Sequence, residues 1–305
     1  MSTHGPIALS VKRERAVRSV LFACAALSIF TTLAVVVMLT TRSATFFSED
    51  GVTLTGFLFG DTWNPFAERP EDRAFGVLPL VGGTMLIAAI SACISLPLGL
   101  LTAVYLSEYA HPRVRTVLKP VLEILAGIPT VVYGFFAIVL ITPLLRVLLP
   151  DLRPFNALSA GIAVGIMCLP IVTSLSEDAL RSVPRSLREG AFAVGGTRFD
   201  VTCRVVVPAA LSGIVAAFLL ALSRAVGETM IVALAAGMTP NLTLDPTDSV
   251  QTMTGFIIKT VKGESEAGSI QRKSIFAVGA LLFLITLAFT IVGNRVLAKF
   301  REAYE

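Results

Sequence analysis

Residues 74–107 read AFGVLPLVGGTMLIAAISACISLPLGLLTAVYLS, a run with no charged side chain. A bilayer core of about 30 Å needs about 20 helical residues to cross it. This run is longer than one span, and Pro79, Gly82, Gly83 and Pro97 lie inside it. Working outward, the same character recurs at 19–41, 124–145, 154–176 and 274–294, all uncharged, and at 205–237, which Arg224 and Glu228 interrupt. Backbone polar groups find no water in a bilayer, so such runs must be helices or a closed barrel. Barrel strands alternate apolar and polar residues, and these runs do not. The pattern predicts an all-α polytopic membrane protein with six transmembrane helices.

Composition agrees. Of the 305 residues, 54% are hydrophobic and 15% charged, against about 25% charged in an ordinary soluble domain. The mean hydropathy is +0.80. A net charge of +4 in such a chain reports loop bias and not nucleic-acid binding. Cys24, Cys93, Cys168 and Cys203 form no CxxC pair, and His4 and His111 are far apart. Neither a disulfide framework nor a metal site is expected. The 19–41 run follows Lys12, Arg13, Arg15 and Arg18 but lacks a small-x-small cleavage site before Arg42. It is read as a retained span and not as a signal peptide.

Loop charge sets the orientation. The two tails and the loops around 113–119 and 181–204 hold fifteen Lys and Arg, against nine in the other loops. The richer set is expected in the cytoplasm, with both termini inside. The expected organisation is a cytoplasmic tail (1–18), a first span (19–41), an external loop (42–75), a core of five spans (76–300) with a cytoplasmic loop at 177–208, and a short inner tail (301–305). The 42–75 loop carries Trp63, Phe57, Phe59 and Phe66 among its acids and is expected to cap the outer surface. Loop 238–273, broken by Pro240 and Pro246, is expected to be polar and mobile.

No catalytic constellation is present. GESEAGS at 263–269 has the glycine spacing of a phosphate-binding loop but lacks its Lys. No G-x-S-x-G occurs. Gly161 and Gly165 form a GxxxG, which suits close helix packing. Two features remain. Segment 177–208 reads EDALRSVPRSLREGAFAVGGTRFDVTCRVVVP: an amphipathic stretch after Pro184, a turn at Gly195-Gly196, and a second helical start at Thr197 to Asp200. It is either a solvated loop or a short helix shaped to fit a groove on a cytoplasmic partner. The second feature is Arg224 with Glu228. Their i, i+4 spacing puts both on one helix face, either as a buried pair or lining a hydrated path. Glu123, beside the third span, is a further candidate partner.

These residues carry a resemblance. Glu189-Gly190-Ala191, three residues, Gly195, nine residues and Val205-Val206-Val207-Pro208 resemble the EAA motif of ABC importer permeases, E-A-A, three residues, G, nine residues, I-x-L-P. Gly190, Val205 and Val207 are the departures. VYLSEY at 104–109, Leu118-Lys119-Pro120, EILAGIPTVVYGF at 123–135 and SRAVGETM at 223–230 are similar to phosphate-importer permeases of the PstC type. The likeness runs from about 76 to 300.

The resemblance implies a type I ABC importer permease fold. It implies pairing with a PstA-like permease, two PstB-like ATPase subunits inside and a PstS-like phosphate-binding protein outside. This chain would be non-catalytic and hold no cofactor, with ATP and Mg in the ATPase. In that family 177–208 is the coupling loop, represented here by Glu189, Gly190, Ala191, Gly195 and Pro208, and residues matching Arg224 and Glu228 take part in phosphate passage. The expected place is a bacterial inner membrane. Alternatives are a permease for sulfate or molybdate and an ion-coupled secondary carrier.

Overall fold

The computed structural model describes residues 11–300 except 264, 265 and 267. His4, both chain ends and part of the GESEAGS stretch lie outside the described residues. In chain order the elements are α1 (Val11–Phe47), α2 (Leu54–Phe59), β1 (Trp63–Asn64), β2 (Ala74–Phe75), α3 (Leu78–Val104), α4 (Pro112–Ala126), α5 (Thr130–Phe136), α6 (Thr142–Leu148) and α7 (Ala157–Ser182). There follow α8 (Arg185–Ala193), α9 (Arg198–Val201), α10 (Val207–Ala209), α11 (Leu211–Val226), α12 (Met230–Ala235), α13 (Met253–Lys262) and α14 (Ile270–Phe300). Short π-helical segments at Tyr105–Tyr109, Ala137–Ile141 and Thr202–Val206 extend or join neighbouring helices.

Five stretches are long and apolar enough to cross a membrane: Glu14–Phe47, Leu78–Tyr109, Thr130–Leu148, Ala157–Ser182 and Ile270–Arg295. A sixth is a bent pair, Arg198–Ala209 and Leu211–Val226, meeting at 68°. The protein is an all-α polytopic membrane protein whose only sheet among the described residues is the antiparallel pair β1–β2.

Helices α3 and α7 form the centre, and small residues set their spacing. A Cβ on Gly161 would sit 2.6 Å from Ile90, one on Gly165 3.1 Å from Ile94, and one on Gly99 2.6 Å from Val172. Ile87, Val164, Met167, Ala221 and Ile231 are buried in the cluster that joins this pair to α11 and α12. Pro79 falls in the first turn of α3, where the missing N–H costs nothing. α1 packs mainly on α14 and leaves Phe22, Ile29 and Phe30 exposed, as a lipid-facing helix does.

Three expectations are corrected. Run 124–145 is not one span: α4 ends at Ala126, Gly127 closes it, and the chain restarts at Thr130. Pro129 is the cause, since it drives Ile128 out of the helical region. Run 205–237 is not one span either, being broken at Ala210 and again at 227–229. Loop 238–273 is ordered over much of its length. Val250 bridges to Gly237, and Met253 and Phe256 of α13 are fully buried. Phe256 meets Trp63 edge-on at 4.8 Å, in a cluster with Phe46, Phe57 and Phe75. Within 42–75, Phe59 stays out of that cluster and is exposed.

Candidate functional site

The 177–208 segment starts inside α7, which continues to Ser182. Val183 is buried and Pro184 opens α8, its fixed φ suiting an entry to a helix. Leu187 and Ala191 of α8 pack inward on a cluster of Ala103, Leu180, Val183, Val201, Val206 and Ile214. Glu189 and Gly190 face outward, and Phe192, Val194 and Phe199 are exposed. The turn is closed by Gly195 at φ +88°, a conformation that an L side chain adopts at a cost. Gly196 is held for a different reason: a Cβ there would lie 2.9 Å from the Ala191 carbonyl oxygen.

A capping box then restarts the chain. Thr197 Oγ1 accepts from the Asp200 N–H at 3.2 Å, and Asp200 Oδ2 accepts from the Thr197 N–H at 3.3 Å. Pro208 sits exposed in the first turn of α10, just before the 68° bend.

Ion pairs between residues far apart in sequence fix this loop to the bundle, and no motif in the sequence discloses them. Arg188 of α8 donates to the Leu180 carbonyl at 2.7 Å and to Glu108, beyond the end of α3, at 3.1 Å. Glu177, 1% exposed, accepts from Arg115 Nε at 2.6 Å and lies 3.2 Å from Lys119 and 3.8 Å from Arg181. Burial alone would lower the Lys119 pKa. The carboxylates of Asp178 and Glu177 outweigh it and raise it. Glu123 is exposed in α4 and is no partner of Arg224.

Arg224 and Glu228 do not share a helix face, which corrects the expectation from their spacing. α11 ends at Val226 with Gly227 as its cap. The Glu228 carboxylate turns to the next helix and accepts from the N–H groups of Met230 at 3.0 Å and Ile231 at 3.3 Å. These are orphan donors of the start of α12. Thr254 Oγ1 secures the same break by donating to the Glu228 carbonyl at 2.7 Å. Arg224 is left exposed on the last turn of α11, with Nη2 3.8 Å from Met167 Sδ and no ion pair among the described residues. The sequence signal for this break is Gly227 itself, between two charges in an apolar run.

The site is thus a broken helical span with a charged side chain beside the break, preceded by a short amphipathic helix and a glycine turn. The chain belongs to the family described as binding-protein-dependent transport system inner membrane component, whose pattern matches residues 95–302. It is 34% identical over 275 residues to the probable ABC transporter permease protein YqgH of Bacillus subtilis, covering 90% of this chain and 88% of that one. It is 31% identical over 262 residues to the phosphate transport system permease protein PstC of Mesorhizobium japonicum, covering 80% and 78%. In fold it is similar to a chain of a bacterial ABC transporter involved in alginate import, with a TM-score of 0.66 and 14% identity over 96% of this chain and 98% of that one. The fold is that of a type I ABC importer permease. The chain is non-catalytic, and ATP hydrolysis resides in a separate subunit. An ion-coupled secondary carrier is set aside by this membership.

Proposed function

We propose that the chain is the PstC-type permease of an ATP-driven importer of inorganic phosphate. It would form the path with a PstA-like permease and receive phosphate from a PstS-like protein outside. Two PstB-like ATPase subunits, which bind ATP and Mg, would dock on the loop containing Glu189, Gly190, Ala191, Gly195 and Pro208. Both termini lie inside in this reading, as loop charge favours.

The likeness to phosphate permeases supports phosphate, and the observation that carries an anion path is Arg224, a guanidinium without an ion-pair partner among the described residues, beside a break in an apolar span. A charge in an apolar span costs up to about 2.5–3.5 kcal/mol, the helix-centre value on insertion scales, and is retained where it meets a hydrated path. Guanidinium offers forked donors to a tetrahedral oxyanion and stays charged throughout. Any such oxyanion would fit, so the choice among phosphate, sulfate and molybdate falls to the external binding protein.

The test is uptake by the complete complex, offered each radiolabelled oxyanion in turn. Arg224→Gln should lower phosphate uptake at least tenfold with insertion and assembly intact, and Arg224→Lys should recover only part of it. Uptake of sulfate or molybdate in place of phosphate would reassign the substrate. Normal phosphate uptake by Arg224→Gln would remove Arg224 from the path.

A further inference from the structure

We propose that Glu177 is a positioning residue that carries movement of α8 into the translocation path by tethering α4 to α7. The inference rests on the reading of 177–208 as the ATPase-coupling loop. α7 is one continuous helix to Ser182, and only Val183 and Pro184 separate it from α8. Arg188 ties α8 back to the Leu180 carbonyl. A shift of α8 is therefore passed to the inner end of α7, where Glu177 sits.

α4 has little apolar hold on that end. None of its residues is buried. A cavity of about 270 Å³ separates it from α7, lined by Leu122 and Ala126 on one side and Pro170, Ile171 and Leu175 on the other. What joins the two helices at the rim of that gap is charge. Arg115 and Lys119 of α4 converge on the Glu177 carboxylate, with Lys119 also 3.2 Å from Asp178. A buried carboxylate that loses such partners is strongly destabilised, so α4 must follow Glu177 while the apolar gap beside it can open or close.

The far end of α4 leads to the path. Tyr133 Oη of α5 donates to the Leu125 carbonyl at 2.8 Å. Gly134 of α5 lies against α12, where an added Cβ would be 3.1 Å from Ile231 Cα. α12 is the helix whose start Glu228 caps, four residues from Arg224. Displacement of α8 thus reaches the break beside Arg224 through Glu177, α4, α5 and α12 in turn.

The measurement is phosphate moved per ATP hydrolysed by the complete complex in proteoliposomes, with phosphate-loaded binding protein outside. Glu177→Gln keeps the shape and removes the charge. Its complex should retain the ATPase subunits yet move at least fivefold less phosphate per ATP, and Glu177→Asp should recover part of that ratio. An unchanged ratio in Glu177→Gln overturns the proposal. If Glu177→Gln does not assemble, the triple variant with Arg115→Gln and Lys119→Gln leaves only the exposed Arg181 of α7 itself without that carboxylate, and is read in its place. A low ratio in the assembled triple variant supports the tether. A wild-type ratio there, or failure of both variants to assemble, makes Glu177 a folding residue and overturns it. Absence of ATP-dependent uptake in the wild-type complex would instead overturn the importer reading itself.

Discussion

The Arg188 guanidinium, on the short helix α8, lies 3.1 Å from the Glu108 carboxylate beyond the end of α3, and both side chains are largely shielded from water. The same Nη2 also donates to the Leu180 carbonyl. One side chain therefore pins α8 to two spans. Arg188→Ala removes the charged donor from both acceptors, leaving the Glu108 carboxylate with the Ser107 hydroxyl and the Leu180 carbonyl with the Val183 N–H, a loss of about 1–3 kcal/mol. The expected result is a lower melting temperature of the purified complex and weaker retention of the ATPase subunits. Arg188→Lys should restore one contact and only part of both effects. A melting temperature and subunit yield unchanged in Arg188→Ala would show that α8 is held by its apolar face alone.

Gly190 and Gly195 make a controlled comparison, because a Cβ on either meets nothing within 4 Å. They differ in backbone conformation. Gly190 is inside α8, where Ala is favoured over Gly by about 0.5–1 kcal/mol. Gly195 has φ +88°, where an L side chain costs about 1–2 kcal/mol. Gly190→Ala should raise the stability of the loop and leave ATPase-subunit yield at or above wild type. Gly195→Ala should lower that yield, and Gly195→Asp should lower it too, with the chain still in the membrane. Equal behaviour of Gly190→Ala and Gly195→Ala would mean the turn is not part of the docking element.

Close packing of α3 on α7 gives the third expectation. Gly161→Ala places a methyl group 2.6 Å from Ile90 Cγ2, and overpacking of this kind costs about 1–3 kcal/mol. The melting temperature should fall, and Ile90→Ala in the same chain should recover part of the loss. Additive losses in the double variant would show that the two residues do not share the strain.

What is legible in the sequence is local. Span runs follow from chain length against bilayer thickness. The turn of the 177–208 loop follows from Pro184, Gly195-Gly196 and the Thr197-to-Asp200 spacing, each a short-range signal. The tie between Arg115 and Glu177 joins residues 62 apart, and that between Arg188 and Glu108 joins residues 80 apart. No periodicity encodes such pairs, since they arise from how α3, α4 and α7 are laid together. Phe256 is hidden for the same reason: its partner Trp63 comes from a different segment between spans. The Arg224–Glu228 spacing misleads because it takes helix continuity for granted across Gly227, where two backbone hydrogen bonds to a carboxylate outweigh one more helical turn.

That geometry assigns Glu228 a role that mutation can separate from that of Arg224. Its Oε1 accepts from two backbone N–H groups, and its side chain is buried. Glu228→Gln keeps a carbonyl oxygen as acceptor and loses only the charge, so assembly should stay near wild type and uptake should fall modestly. Glu228→Ala leaves both N–H groups unpaired at a cost of about 1–3 kcal/mol, and it should loosen the break that Thr254 also holds. Complex yield should therefore drop in Glu228→Ala and not in Glu228→Gln. Arg224 is not the partner of this carboxylate, so Arg224→Gln strands no buried acid and should lower uptake more than Glu228→Gln does. The double variant Arg224→Gln with Glu228→Gln should be no better assembled than the worse single variant and should transport no more. Yield and radiolabelled phosphate uptake of the four variants decide the matter: recovery of both in the double neutral variant would mean that the two charges compensate each other, and would sink the separation of a capping role for Glu228 from a pathway role for Arg224.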